Sequence, residues 1–371
     1  MKLLAVFGTR PEALKMYPVI RAARGHQGVE LQVCVTGQHR QMLDQVLELT
    51  GIKPEFDLSI MRENQSLEDI VAALMKAFPA VVAATRPDWV LVQGDTTTAF
   101  ATGLSSFFQK IRVAHIEAGL RSHNMQAPWP EELNRKLLGQ LAGLHFAPTQ
   151  QARDNLLQEG IDESAIAVTG NTIVDALLLI KDEIDRDAAL RSKLAAAFPF
   201  IESDRKTILV TSHRRESFDG GIERICHAIK KIVARGNVNV VFPVHHNPLV
   251  RDVVHRILAS ETNVFLIEPV DYRSLIYLMS RAHLVLTDSG GMQEEAPSLG
   301  KPVLVMRDNT ERMEGVRAGT ALLVGTDVDR IVTETTRLIF DQAAYRAMRE
   351  IHNPYGDGSA SERIIERLIQ Q

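Results

Sequence analysis

Along this chain, short apolar runs alternate with longer stretches in which apolar residues recur at three- and four-residue intervals. The strand-like runs are 3–7, 31–35, 90–93, 111–116, 207–212, 238–244, 264–267, 284–287 and 303–306. Short apolar runs bounded by turn residues fit buried strands, and the helical periodicity between most of them supplies the crossovers. The alternation predicts an α/β protein with parallel sheets. It lapses once, between about Thr172 and Arg205, where a long helix-like stretch from Ile173 to Ala197 leads into the polar segment Pro199-Phe200-Ile201-Glu202-Ser203-Asp204. A domain boundary is placed there. The expected architecture is two Rossmann-like domains facing each other across a cleft, the first over 1–171 and the second over 172–353. A last helix follows the turn Asn353-Pro354-Tyr355-Gly356-Asp357-Gly358, with Ser359 as N-cap and Glu362 completing a capping box. Segment 354–371 is expected to pack back, the N-terminal domain being one candidate partner.

This element map brings chemistry together. Asp95 closes the run Val90-Leu91-Val92-Gln93-Gly94, and Glu117 closes Ile111 to Ile116, with a helix-compatible stretch between. In a βαβ unit the two strands lie side by side, roughly 5 Å apart, so both carboxylates converge on the carboxyl edge where open α/β sheets bind ligands. Paired carboxylates there suggest proton transfer. After the first strand, Gly8-Thr9-Arg10-Pro11-Glu12 opens a helix whose free N–H groups make an anion site, with Arg10 and Lys15 adding charge. In the second half, Asp288-Ser289-Gly290-Gly291 precedes a helix, and its glycines would let the backbone approach a diphosphate. Glu295 could accept from two ribose hydroxyls, or be one surface glutamate among many. His213 follows strand 207–212 and could donate to a departing phosphate, or be a loop histidine. Glu131 and Glu132 follow Pro128-Trp129-Pro130 in the first turn of a helix, where the macrodipole alone would explain them.

Composition narrows the partners. The chain has 371 residues, 45% apolar and 24% charged, and a net charge of -4, which argues against a general binder of nucleic acid or membrane surface. A small ligand is expected. Cys34 and Cys226 are the only cysteines, neither in a CxxC, so a disulfide scaffold or structural zinc is a poor reading and a reduced cytoplasmic setting fits. His245-His246 has no carboxylate or cysteine at ligand spacing, and no metal site is expected. The first apolar run is too short for a signal segment, and no run approaches the ~18 residues of a membrane span. There is no GxGxxG, the fingerprint of a bound dinucleotide.

Several motifs stand in one order and register. These are Gly8-Thr9-Arg10-Pro11-Glu12, Gly37-Gln38-His39-Arg40-Gln41-Met42-Leu43-Asp44, Gln93-Gly94-Asp95-Thr96 and His115-Ile116-Glu117-Ala118-Gly119-Leu120-Arg121. Pro130-Glu131-Glu132 with Asn134-Arg135, Asp288-Ser289-Gly290-Gly291 with Gln293-Glu294-Glu295, and Asn353 to Gly358 complete the set. Together they resemble the non-hydrolysing UDP-N-acetylglucosamine 2-epimerases of bacteria, over essentially the whole chain. The resemblance implies a glycosyltransferase-B-like fold, a homodimer, no cofactor, and interconversion of UDP-N-acetylglucosamine with UDP-N-acetylmannosamine for surface polysaccharide. It implies catalytic roles for Asp95, Glu117, Glu131 and His213. Nucleotide contacts are implied for Arg10, Lys15, Ser289, Gly290, Gly291, Glu295 and Arg312. Around Pro269 to Leu275 the match is looser, since relatives often carry an aromatic residue near Leu275 against the uracil. It further suggests a second UDP-N-acetylglucosamine as activator, contacted by Gln38, His39 and Gln41; Arg214 and His245, at strand ends of the second domain, could complete that site.

A hydrogen at C2 of such a sugar has no neighbouring carbonyl, so its removal needs a departing group at C1. Loss of UDP with the C2 proton gives 2-acetamidoglucal, and re-addition with a proton from the other face inverts C2. One fixed carboxylate cannot serve both faces; two differently placed acids can. A hydrolysing relative, an epimerase of another UDP-sugar, a glycosyltransferase of like architecture and a silent UDP-sugar sensor stay open at this level.

Overall fold

The computed structural model describes residues 1–37, 40–62, 65–201, 204–212 and 220–371, with Arg40 and Gln41 described in backbone only. Two compact units emerge: Met1–Ala176 with Tyr355–Gln371, and Leu177–Pro354. The first runs β1 (Lys2–Phe7), α1 (Arg10–Gly25), β2 (Glu30–Val35), α2 (Arg40–Thr50), β3 (Phe56–Asp57), α3 (Leu67–Thr85), β4 (Trp89–Gln93), α4 (Thr97–Phe108), β5 (Arg112–Ile116), α5 (Glu131–Leu141), β6 (Leu144–Ala147), α6 (Gln150–Gln158) and β7 (Ile166–Val168). Helix α7 (Thr172–Arg186) carries the chain into the second unit. There follow α8 (Ala188–Ala197), β8 (Lys206–Thr211), α9 (Gly221–Ala234), β9 (Val238–Pro243), α10 (Pro248–Leu258), β10 (Val264–Ile267), α11 (Tyr272–Arg281), β11 (Leu284–Thr287), α12 (Gly290–Glu295), β12 (Val303–Val305), α13 (Met313–Ala318), β13 (Ala321–Leu323), α14 (Val328–Phe340) and α15 (Gln342–Arg349). Helix α16 (Ala360–Ile369) returns to the first unit, where it packs on α1.

Among the described residues the strands form one parallel sheet per unit, ordered β3-β2-β1-β4-β5-β6-β7 and β10-β9-β8-β11-β12-β13. Both orders are the doubly wound Rossmann order, which reverses direction between its first and fourth strands and opens a crevice at that switch point. The reversals fall at β1/β4 and at β8/β11. Helices on both faces explain why the central strands read as unbroken apolar runs: β1 is buried from Leu3 to Phe7 and β4 throughout. Leu4, Val6, Val90 and Val92 pack with Leu74, Phe78 and Val82 in the first core. Ile208, Val210, Val240, Phe242 and Leu286 pack with Ile225 and Ile229 in the second.

All nine strand-like runs are strands, with ends shifted by at most one residue. Four further strands, β3, β6, β7 and β13, are two to four residues long and too short for a periodic signal. The expected long helix over 173–197 is two helices, because Asp187 takes a non-helical conformation and caps α8 by accepting from the Leu190 amide at 2.9 Å. The expected capping box at the last helix does not form. Ser359 makes no side-chain cap, and the Ser361 amide donates 2.7 Å to Asp175 of α7 instead. No helix among the described residues is long and apolar enough to cross a membrane.

Candidate active site

At the first switch point the β1–α1 turn is capped as its residues suggest, but the expected row of free N–H groups is absent: the Gly8 and Thr9 amides are taken by the Glu12 carboxylate, the Glu12 amide by the Thr9 hydroxyl, and Pro11 has none. Thr9 caps α1 by accepting from the Glu12 amide, and Pro11 sits in the first turn. Glu12 is itself buried, its Oε2 accepting from the Gly8 and Thr9 amides at 3.1 and 2.8 Å and its Oε1 from the Thr96 hydroxyl at 2.6 Å. Burial without a balancing cation pushes its carboxyl up to about 6. Arg10 is half-buried at the start of α1.

Across the crevice, Asp95 follows β4 and Glu117 follows the neighbouring β5, whose Gln93 and Ile116 are in register. Each carboxylate has its own cation. Arg135 holds Asp95 through Nε at 2.9 Å and Nη2 at 2.6 Å, while the Lys15 ammonium is bonded to Glu117. Glu117 has φ of 63°, the left-handed region that a side chain with a Cβ adopts only at a cost of about 1–3 kcal/mol. Loop and sheet hold it there, since the Ala118 amide donates to Phe146 O at 3.0 Å and the Gly94 amide to Ile116 O at 2.9 Å. Beneath them His115 is buried with Nε2 at 2.7 Å from Gly94 O, so that nitrogen is the donor. Burial holds the His115 ring down to about 3 and its register neighbour His145 to about 4; both are neutral supports of the turn.

Helix α5 adds the third carboxylate. Glu131, Asn134 and Arg135 are spaced to share a face. Asn134 donates 2.9 Å to the Asp95 carbonyl and Arg135 grips its side chain, so α5 is clamped to the Asp95 turn. Glu132 is fully committed to structure: it is buried, and accepts from the Ser122 and His123 amides at 3.0 and 3.1 Å and from Arg135 at 3.1 Å. Glu131 is half-buried at the first position of α5, and its side chain makes no hydrogen bond or ion pair among the described residues. Sequence reading passed over Glu12, Asn134 and Arg135 as site builders. The signal for the last two was present in their helical spacing from Glu131.

In the second unit, the β11–α12 turn lies at the other switch point. Asp288 is buried and accepts from Ser212 Oγ at 2.9 Å across β8/β11, and the Ser289 amide donates to Thr287 Oγ1 at 2.9 Å. The first amides of α12, led by Gly290 and Gly291, have no acceptor inside the helix. Arg312 lies against them: a Cβ on Gly290 would meet its guanidinium at 3.5 Å, and its Nε donates 2.8 Å to the buried Glu294. Glu295 is buried, and its Oε2 accepts from Tyr272 at 2.7 Å. The aromatic residue of the 269–275 segment is thus turned inward, and Leu275 is half-buried. Ser289, Gly290, Gly291, Glu295 and Arg312 therefore share one turn and its immediate neighbours. His245 is exposed beyond β9, where its Nδ1 accepts from the Asn247 amide at 3.1 Å. His213, Arg214, Gln38, His39 and the side chain of Gln41 lie outside the described residues.

Residues 21–369 match the family model described as UDP-N-acetylglucosamine 2-epimerase. The chain is 55% identical over 369 residues to the UDP-N-acetylglucosamine 2-epimerase of Escherichia coli K12, covering 99% of this chain and 98% of that protein. It superposes on the Neisseria meningitidis UDP-GlcNAc 2-epimerase bound to UDP-GlcNAc with a TM-score of 0.91, 49% identity and full coverage of both chains. The Methanocaldococcus jannaschii UDP-GlcNAc 2-epimerase in complex with UDP-GlcNAc and UDP gives a TM-score of 0.81 at 33% identity, again over both whole chains.

Proposed function

The chain belongs to the UDP-N-acetylglucosamine 2-epimerase family, and from that premise we propose that it interconverts UDP-N-acetylglucosamine and UDP-N-acetylmannosamine by elimination and re-addition of UDP, in the service of surface polysaccharide synthesis. The observation that supports the mechanism is that Asp95 and Glu117 end adjacent strands while Glu131 opens the helix clamped to the Asp95 turn, the three side chains being held differently: by Arg135, by Lys15, and by neither among the described residues. The C1–O bond breaks with its electron pair leaving on the diphosphate, and the C2 proton passes to one carboxylate, giving 2-acetamidoglucal and UDP. A second carboxylate returns a proton to the opposite face of C2 as a diphosphate oxygen re-forms the bond to C1. Arg10, the Ser289–Gly291 turn and Arg312 are assigned to the UDP, with His213 assisting its departure. Lys15 in this reading sets the Glu117 carboxylate as well as adding charge. No cofactor enters the cycle.

Incubation with UDP-N-acetylglucosamine in D2O, followed by NMR, tests the reading. Deuterium should enter C2 of the recovered sugar nucleotide, with traces of 2-acetamidoglucal and UDP. Epimer that retains its original C2 hydrogen would overturn it.

Three associated features belong to the same proposal. A second UDP-N-acetylglucosamine acts as activator through Gln38, His39, Gln41, Arg214 and His245, so conversion of UDP-N-acetylmannosamine alone should lag until its epimer accumulates. Hyperbolic kinetics in both directions would argue against it. The working form is a homodimer. In support, the first unit exposes Phe107, Phe108 and Trp129 at 56, 66 and 63%, and also Leu133 and Leu137, one helical turn apart on α5, which packs against the α4 that carries the two phenylalanines. Phe108→Asp should shift sedimentation toward the monomer, and a wild-type monomer would remove the proposal. The location is cytoplasmic, a reading supported by two free buried thiols, Cys34 and Cys226.

A further inference from the structure

Glu12 does more than a capping box requires. A capping glutamate reaches back to the N-cap amide with one oxygen, and it normally does so at the solvent-exposed start of a helix. Here the side chain is buried, and a glutamine could satisfy the same amide without burying a charge. The second oxygen explains the carboxylate. Its bond from Thr96 Oγ1, 2.6 Å long, leaves the β1–α1 turn and crosses the switch point to the β4–α4 turn. Thr96 then accepts from the Ala99 amide at 3.0 Å, so its hydroxyl hydrogen is committed to Glu12 and its lone pair to α4. Asp95 is the next residue along.

We propose that Glu12 is a positioning residue whose carboxylate ties the start of α1, the helix bearing Arg10 and Lys15, to the turn bearing Asp95, fixing the Asp95 side chain relative to the departing diphosphate. The assignment rests on the acid/base role given above to Asp95. The Glu12 carboxylate accepts from three neutral donors, the amides of Gly8 and Thr9 and the hydroxyl of Thr96, and the neutral Thr9 hydroxyl, which accepts from the Glu12 amide, also faces it. The charged residues nearest in the chain are Arg10 and Lys15 on α1 and Asp95 beside Thr96. A carboxylate can accept from all three donors at once. A protonated carboxyl cannot, because one oxygen must donate and Thr96 must turn its hydroxyl to receive it. Glutamine likewise pairs an accepting oxygen with a donating group, an NH2 in place of the O–H, and so imposes on Thr96 the same reversal as the protonated state with nearly the same shape.

The experiment compares wild type, Glu12→Gln, Thr96→Ala, Thr96→Ser and the Glu12→Gln/Thr96→Ala double variant by kcat and KM from pH 5 to 8, UDP affinity and thermal stability. Glu12→Gln should keep its melting temperature and bind UDP within about three-fold of wild type, yet lose about ten-fold in kcat at pH 8. The ratio of wild-type to variant kcat should then fall toward one by pH 5, as Glu12 itself takes up a proton. Thr96→Ser should retain activity, and the double variant should be no slower than the slower single, because the two changes break one link. Wild-type kcat in Glu12→Gln across the whole range, or effects of the two single changes that multiply independently, overturns the proposal. A wild-type protein that exchanges no C2 hydrogen overturns the underlying functional reading as well, and the two failures are thereby told apart.

Discussion

Replacing Gly119 by alanine asks how far the Glu117 loop depends on a backbone that only glycine can supply. Gly119 has φ of 87°, and an added Cβ would lie 2.1 Å from Ala152 O, 2.8 Å from Ala152 C and 3.0 Å from Leu156 Cγ. Gly160 is a natural control, since its φ is 81° but nothing stands within 4 Å of its Cβ position. Left-handed strain of about 1 kcal/mol is common to both substitutions. Only Gly119→Ala must also push its loop from α6 by roughly 1 Å, an overpacking cost of about 1–3 kcal/mol. That shift also disturbs the bond from Asn155 Nδ2 to Gly119 O, 2.9 Å long and worth about 1 kcal/mol. The expected totals are about 1 kcal/mol for Gly160→Ala and about 4 kcal/mol for Gly119→Ala. For a unit of this size they correspond to roughly 3 °C and roughly 12 °C in the first thermal transition. Differential scanning calorimetry measures both, and turnover should fall only in Gly119→Ala, because Glu117 lies two residues upstream. Equal destabilisation by the two substitutions would refute the reasoning, since the clash would then contribute nothing.

Asp95→Asn, Glu117→Gln and Glu131→Gln should each lower kcat by about 10²–10⁴ with UDP affinity retained in calorimetry; near-wild-type turnover in Glu131→Gln would return that residue to its helix-dipole role. Arg312→Ala should weaken UDP binding by about ten-fold or more and also destabilise the second unit, because buried Glu294 loses its 2.8 Å partner. Acid should destabilise the first unit as pH falls below about 6.5. His115 and His145 are held down to about 3 and about 4, so the unfolded chain binds protons that the fold excludes, a loss of about 2 kcal/mol each by pH 5. Glu12 acts in the opposite sense: with its folded value raised from 4.5 to about 6, it returns only about 1 kcal/mol over the same range. Urea titrations at pH 7.5 and 5.0 should therefore show a net decrease, and equal midpoints would contradict the balance.

Much of this protein is written in its local sequence. Strands such as Lys2–Phe7 and Trp89–Gln93 are continuous apolar runs because central parallel strands are covered on both faces, and that pattern survives without any knowledge of neighbours. The placement of Asp95, Glu117 and Ser289–Gly291 at strand ends follows from the same pattern. Short or polar strands were not legible: β6 contains His145, which enters a core only as a neutral ring beside His115. Nor could adjacency in the chain separate Glu131 from Glu132. The fold commits Glu132 to two loop amides and Arg135 and leaves Glu131 without such partners among the described residues. Capping was decided in the same way: at α16 the Ser361 amide donates to Asp175 of α7 and Ser359 makes no side-chain cap. Periodicity and turn chemistry are set by residues a few positions apart, so sequence determines the elements and their order. Which carboxylate meets which amide or cation is a matter of long-range packing: Lys15 with Glu117, Arg135 with Asp95 and Glu12 with Thr96 join residues 40 to 102 positions apart, and only the tertiary structure decides them.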